Sequence, residues 1–220
     1  NIREELALKT AILAERYSGQ DNKRWFLDVA LTLVEKAGDF ISDKLWHRIV
    51  QVVTNAKELH GPAASTSLAK LRGGASHEMF IRASAYFLGE FGHCLGPAEP
   101  PAGYAALLLE HYKSAAQGTR QIILSALAKI AMHAGADDAL RRRVGELFRT
   151  NAGVGEVELQ QRSVEYFVMT NVAGNPARLA AVMDPMPDFP ERASALEKTV
   201  EEGMGESADA AAGKGVRLAG

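Results

Sequence analysis

Residues that could bind a metal or act as a nucleophile are scattered along this 220-residue chain. Its histidines are well separated, at His47, His60, His77, His93, His111 and His133. Only His93 and Cys94 are adjacent, and neighbouring residues of a helix point about 100° apart, so they cannot chelate one ion together. We interpret Cys94 as a small buried thiol beside a packed imidazole. The pattern predicts no metal site and no cofactor.

Short motifs of known enzymes are incomplete in this chain. His77-Glu78 has no second histidine four residues after the first, as a zinc protease requires. Gly89 and Gly92 lie within a predicted helix and lack the remaining glycines and the lysine of a phosphate-binding loop. We interpret them as points where a neighbouring helix approaches closely. No G-x-S-x-G sequence occurs, so we predict that the protein is not an enzyme and has no catalytic residues.

The densest basic run is Arg141-Arg142-Arg143. Clustered guanidinium groups can bind phosphoinositides or an acidic partner. Three consecutive residues fan around a helix, however, and Asp137, Asp138 and Glu146 lie nearby, so we favour a solvated helix face. The chain as a whole has a net charge of −2 and offers nothing global that would attract nucleic acid.

Apolar residues recur at helical spacing through most of the chain, and no segment alternates as a strand would. The first helix of each presumed pair begins near residues 2, 42, 76, 119 and 156. Irregular repeats of roughly 40 residues are typical of HEAT and armadillo pairs. We therefore predict an all-α, HEAT/armadillo-like solenoid of about ten helices in antiparallel pairs, curved and right-handed. Gly61-Pro62 predicts a break, followed by a short helix over residues 63–71.

The stretch from Glu156 to Asn171 has two apolar stripes at helical spacing. The first consists of Val157, Val164, Phe167 and Val168, and the second of Leu159, Tyr166 and Met169. Gln160, Gln161 and Arg162 keep a third face polar. Two stripes are expected of a helix that packs both on its own partner and on the next helix pair.

The composition changes near the C-terminus. Asn175-Pro176 predicts a short helix to Met183, and residues 184–190 hold three prolines and cannot be helical. We predict that Met183, Met186 and Phe189 anchor this stretch over the 157–169 helix, where it caps the open end of the solenoid. A last helix over 191–202 and a flexible linker over 203–220 would follow. The predicted domains are therefore 1–202 and 203–220, and deleting the linker should leave thermal stability unchanged.

The ends and the composition bear on location. The chain starts without Met and is helical almost at once, which we interpret as a segment of a longer protein. It shows no signal peptide and no apolar run long enough to span a bilayer. A single cysteine rules out an internal disulfide and fits a reducing compartment.

Several stretches resemble the large adaptin subunits of clathrin adaptor complexes, in the same order over about residues 2–200. They are LALKTAILAERY (6–17), AGDFISDKLWHRIVQVVTN (37–55), YFLGEFG (86–92), VELQQRSVEYF (157–167) and MPDFPER (186–192). The segment around Trp46 and the closing MPDFPER are more similar to the α type, found in the plasma-membrane adaptor, than to the γ type.

The resemblance implies the C-terminal part of an adaptin trunk and the start of its hinge. Such a chain is a non-enzymatic scaffold in endocytic cargo sorting, at clathrin-coated pits on the cytoplasmic face of the plasma membrane. Its implied partners are the β, μ and σ subunits, with clathrin, accessory proteins and phosphoinositide membrane reached through the rest of the complex. The family's phosphoinositide and dileucine sites lie earlier in the trunk, so no binding residues are carried over. The alternatives are a γ-type adaptin, or an unrelated HEAT-repeat scaffold or transport receptor.

Overall fold

The computed structural model describes residues 2–18, 22–134, 137–172 and 180–190. Within these ranges the chain forms nine α-helices and no strand: α1 (Ile2–Ser18), α2 (Lys23–Ala37), α3 (Asp43–Asn55), α4 (Lys57–Arg72), α5 (Glu78–Phe91), α6 (Pro101–Tyr112), α7 (Gln117–His133), α8 (Asp138–Asn151) and α9 (Val157–Phe167). Short 3₁₀ turns follow α2 and α5, and a π-helical turn extends α9. The odd-numbered helices begin within two residues of the predicted positions.

The helices form two layers. In one layer α5 packs on α7, and α7 packs on α9; in the other, α4 packs on α2 and α6. The helices of the first layer are joined at their N-terminal ends. The Glu78 carboxylate accepts a hydrogen bond from the Ala116 N–H at 2.9 Å, and the Gln117 side chain donates to Glu156. These helices are therefore parallel neighbours, and the helices between them run back. The predicted all-α solenoid of antiparallel pairs is confirmed, while its hand stays a prediction.

Two of the helix starts are capped as their sequences indicate. The Ser42 hydroxyl accepts from the Leu45 N–H at 3.3 Å at the start of α3, and the Asp137 carboxylate accepts from the Leu140 N–H at 2.9 Å at the start of α8. Each cap satisfies one of the amide groups that have no partner within their own helix.

The predicted break at Gly61-Pro62 is wrong, because α4 runs without interruption from Lys57 to Arg72. Pro62 lies in its second turn, where the ring removes a single backbone donor. Leu59, Ala63 and Ala64 on either side are at most 1% exposed. A continuous helix buries all three, and this outweighs the local cost of the proline.

The core is one continuous cluster that runs from Ala7 in α1 to Leu159 in α9 and includes Met183. Two helices approach each other closely at Gly89, as predicted from the small residues in α5. A Cβ atom at this position would lie 2.7 Å from the Cα atom of Ala126 in α7. At Gly92 a Cβ atom would lie 3.0 Å from the Tyr104 ring. Both glycines therefore serve packing between helices.

Two tyrosines in this core predict a loss of stability at high pH. Burial raises the pKa of Tyr104 to about 12, and it does the same for Tyr86 despite a hydrogen bond with Thr54 that lowers the pKa. The pKa values in the folded state exceed the unfolded value of about 10, so this stability is complete below pH 10 and is lost as the pH rises through 12. We expect each tyrosine to cost about 1.4 kcal/mol of unfolding free energy per pH unit in this window. Urea unfolding between pH 9 and 11.5 measures it.

The Tyr86→Phe/Tyr104→Phe double variant is the control for this pH dependence. It keeps both rings and loses both titrating hydroxyls. Lysines and arginines titrate in the wild type and in the variant alike, so their effect on stability cancels in the comparison. The wild-type curve should fall more steeply than that of the variant. Parallel curves would show that folding raises the pKa of neither hydroxyl.

Candidate protein interface

His93 and Cys94 do not form the buried pair that the sequence predicted. Both lie in the 3₁₀ turn Gly92–Leu95 that follows α5, and both are exposed. Partial burial still raises the pKa of the Cys94 thiol, which therefore remains protonated at neutral pH. The position on a surface turn, rather than in the helix, explains the error.

The His93 ring lies against that of His133, with 4.8 Å between the ring centroids. Burial, followed by the charge of His93, lowers the pKa of His133. Across the part of the chain that the structure describes, no three His, Cys, Asp or Glu side chains are placed to hold a metal ion.

The arginine run lies on α8. One nitrogen of Arg141 is 3.5 Å from the Asp138 carboxylate, whereas Arg142 and Arg143 are exposed. Successive residues turn by about 100° around the helix axis, so the three guanidinium groups do not face one side.

The proline-containing segment takes a different course from the one predicted. We name residues 183–190 the strap. It has no regular secondary structure, and it contacts Lys129 on α7, Glu90 on α5 and Asn55 on α3, in that order. It thus runs backward over α7, α5 and α3 instead of capping α9. Sequence proximity suggested α9, but the groups that can pair with the strap backbone lie on the earlier helices.

The strap is held by its backbone. The Asn55 side chain donates to the Phe189 carbonyl at 2.9 Å and accepts from the Phe189 N–H at 2.8 Å, so one amide satisfies both backbone groups. Gln51 donates to the Pro190 carbonyl at 3.3 Å. Near the N-terminal end of the strap, Lys129 donates to the Asp184 carbonyl at 3.2 Å. Side chains on the helices therefore replace the backbone partners that a strand would supply.

A buried ion pair lies beneath the middle of the strap. The Lys129 ammonium contacts the Glu90 carboxylate between α7 and α5, and their side chains are 14% and 7% exposed. The second carboxylate oxygen of Glu90 accepts from the Met186 N–H at 3.3 Å. Both charges are thus paired, and each also binds the strap, which offsets part of their desolvation cost.

Two strap side chains reach the hydrophobic core, and both were predicted to anchor the segment. Met183 is 4% exposed, and Phe189 is partly buried against the core cluster. Met186, the third predicted anchor, remains 42% exposed. The structure therefore confirms an extended segment anchored by Phe189, but on α3 rather than on α9.

The two stripes of α9 have different environments. Leu159 and Ser163 are buried, and α9 packs against α7 and α8, as expected for one stripe. The other stripe is open at its valines, since Val157 is 72% exposed and Val164 and Val168 are each 44% exposed, whereas Phe167 packs against the core. The strap does not cover it. An apolar stripe of this kind is suited to contact with another repeat or another chain.

The sequence reading missed the residues that hold the strap: Gln51, Asn55, Glu90 and Lys129. A signal was present for two of them. Glu90 interrupts the apolar run YFLGEF, and Lys129 interrupts LSALAKIAM, and charged residues are rarely buried unless they are paired. No comparable signal marks Asn55, because a polar residue at a helix end is ordinary.

A sequence model described as the adaptin N terminal region matches residues 1–173. The chain is 41% identical over 204 residues to the AP-2 complex subunit alpha-1 of Arabidopsis thaliana, covering 91% of this chain and 20% of the relative. It is 35% identical over 190 residues to the AP-2 complex subunit alpha-2 of Dictyostelium discoideum, covering 86% of this chain and 18% of the relative. It therefore spans about one fifth of the length of these relatives.

Proposed function

Because the chain belongs to the adaptin family, we propose that it forms the C-terminal part of the trunk of an α-type large subunit in a clathrin adaptor complex. The observation that carries the α-type part of this proposal is the 41% identity to an AP-2 alpha subunit over 91% of the chain, while the position in the trunk follows from the resemblance of the sequence motifs. The relatives named above are alpha subunits, which favours the α type over the γ type. The family match also removes the alternative of an unrelated transport receptor.

The scaffold acts by holding partner chains in fixed positions. Its core runs without interruption from α1 to α9. The close contact at Gly89 and the Glu90–Lys129 ion pair hold α5 against α7. Such an array presents long faces to other proteins while each repeat contacts only its neighbours. We propose that the β, μ and σ subunits contact this rigid array directly. Clathrin, accessory proteins and phosphoinositides then bind through other parts of the complex.

The function proposed is non-enzymatic cargo sorting at clathrin-coated pits on the cytoplasmic face of the plasma membrane. Among the helices that the structure describes, none is both long and apolar enough to cross a bilayer. We also propose that residues 203–220 begin the hinge of the subunit. They lie outside the described residues, as do the predicted helix over 191–202 and most of the one from Asn175 to Met183.

Purification of the tagged full-length parent protein tests this function. We expect β, μ and σ adaptor subunits to be recovered in equal amounts with it, and imaging to place it at coated pits. A matched parent that carries Val164→Asp on the open stripe of α9 shows whether that face contributes to assembly. Recovery of nuclear transport cargo or a phosphatase without adaptor subunits would contradict the proposal.

A further inference from the structure

The strap crosses the helix layer at a spacing that an extended chain fits. Its contacts fall on α7 at Asp184, on α5 at Met186 and on α3 at Phe189, which is two to three residues for each helix. Packed helices lie about 8–10 Å apart, and an extended chain rises about 3.1–3.4 Å per residue. Roughly three residues therefore span one helix, so the surface on α3, α5 and α7 matches an extended ligand in its dimensions.

Recognition at this surface is directed at backbone groups. The strap makes five hydrogen bonds with side chains of the helices, and each involves a backbone N–H or carbonyl of the strap. The side chains are those of Gln51, Asn55, Glu90 and Lys129. We name these four side chains, with the helix faces that carry them, the seat. Because backbone groups are common to all peptides, the seat does not require the strap's own sequence.

The apolar requirements on a ligand are few. Met183 is buried and Phe189 is partly buried, and the residues between them are exposed. Prolines at 185, 187 and 190 restrict the unbound chain, so less conformational entropy is lost when it docks. A ligand thus needs an extended, proline-containing segment with two apolar residues six positions apart.

The strap is attached in a way that permits exchange. Four of its five hydrogen bonds lie at exposed positions, and only two of its side chains enter the core. The helices beneath it are also held together by direct contacts between α5 and α7. Release of the strap therefore exposes a formed seat.

We propose that the seat is a docking site for an extended, proline-containing segment of a partner protein, which the strap occupies as an intramolecular ligand. The partner segment takes the seat when the strap is displaced, and Phe189 and Pro190 are then no longer held beside α3. This inference does not rest on membership of an adaptor complex, because the seat and the strap belong to one chain.

A fluorescent peptide of residues 182–192 tests the proposal by anisotropy with the 220-residue chain. In the wild type the strap competes with the peptide for the seat. The apparent Kd of the peptide is therefore its intrinsic Kd divided by the fraction of chains whose seat is unoccupied. The Met183→Ser/Phe189→Ser variant weakens the strap and should bind the peptide at least about tenfold more tightly. Adding Asn55→Ala to that variant removes two hydrogen bonds and should weaken binding by about tenfold.

Matched controls separate the seat from general effects. Gln161→Ala, at an exposed hydrogen bond on α9, should leave peptide affinity in the strap variant unchanged. If circular dichroism shows that the double variant is unfolded, Phe189→Ala alone is used, since it keeps Met183 in the core. Equal affinity of the wild type and a folded strap variant, or no binding to that variant, would overturn the proposal. A concentration-dependent dimer in light scattering that Asn55→Ala abolishes would also overturn it, by assigning the seat to a second copy.

Discussion

Gly89→Val is expected to destabilise the solenoid strongly. A Cβ atom at residue 89 would lie 2.7 Å from the Cα atom and 2.8 Å from the Cβ atom of Ala126. The Cα atom belongs to the backbone of α7 and cannot move without separating the two helices. We expect the free energy of unfolding to fall by about 3 kcal/mol, the upper end for overpacking, despite the better helix propensity of valine. Chemical denaturation measures it.

Gly61→Ala is the matched control, because Gly61 also lies inside a helix. A Cβ atom there would meet Cys94 at 3.9 Å, an ordinary van der Waals distance. We expect this variant to be as stable as the wild type or more stable by up to about 1 kcal/mol, from helix propensity alone. If Gly89→Val and Gly61→Ala have similar stabilities, the close contact of α5 with α7 does not exist in solution.

Lys129→Met should lower the free energy of unfolding by about 3 kcal/mol. The substitution keeps an apolar side chain of similar length but leaves the 7%-exposed Glu90 carboxylate without its cation. An unpaired buried charge costs more than the pair contributes. The loss should be accompanied by loosening of the strap, because Glu90 and Lys129 both bind its backbone. Denaturation and limited proteolysis near residue 186 measure the two effects.

The double variant Glu90→Gln/Lys129→Met tests the reason for that loss. It removes both charges, so it should recover about 2 kcal/mol relative to Lys129→Met alone. Lys9→Met is the exposed control, since the Lys9 and Glu5 side chains are 48% and 60% exposed, and it should change stability by less than about 0.5 kcal/mol. A double variant as unstable as the single one would mean that packing, not the charge, is responsible.

The apolar pattern predicted most of the helices because each one buries a stripe that recurs every three to four residues. The starts of α1, α3, α5, α7 and α9 lie within two residues of the predicted positions. Gly89 was also interpreted correctly, since a small residue in an apolar helix indicates close approach. The error at Pro62 arose because a local breaker signal was weighed without the burial of Leu59 on its N-terminal side.

Cys94 and the strap show where reasoning from local sequence fails. Cys94 lies exposed in a 3₁₀ turn after Phe91, and the apolar pattern of α5 did not reveal where the α-helix ends. The strap was correctly expected to be extended and anchored by Phe189, because three prolines remove three backbone donors.

Most of the helices, their pairing and the family could be predicted because these depend on residue type and spacing along the chain. The course of the strap depends instead on contacts between distant helices. Asn55 and Phe189 are 134 residues apart, yet one side-chain amide binds both backbone groups of Phe189. The polar groups that can satisfy an extended backbone were brought to one surface by the stacking of α3, α5 and α7. Such a contact depends on the geometry of three packed helices, and no periodicity within a segment encodes it.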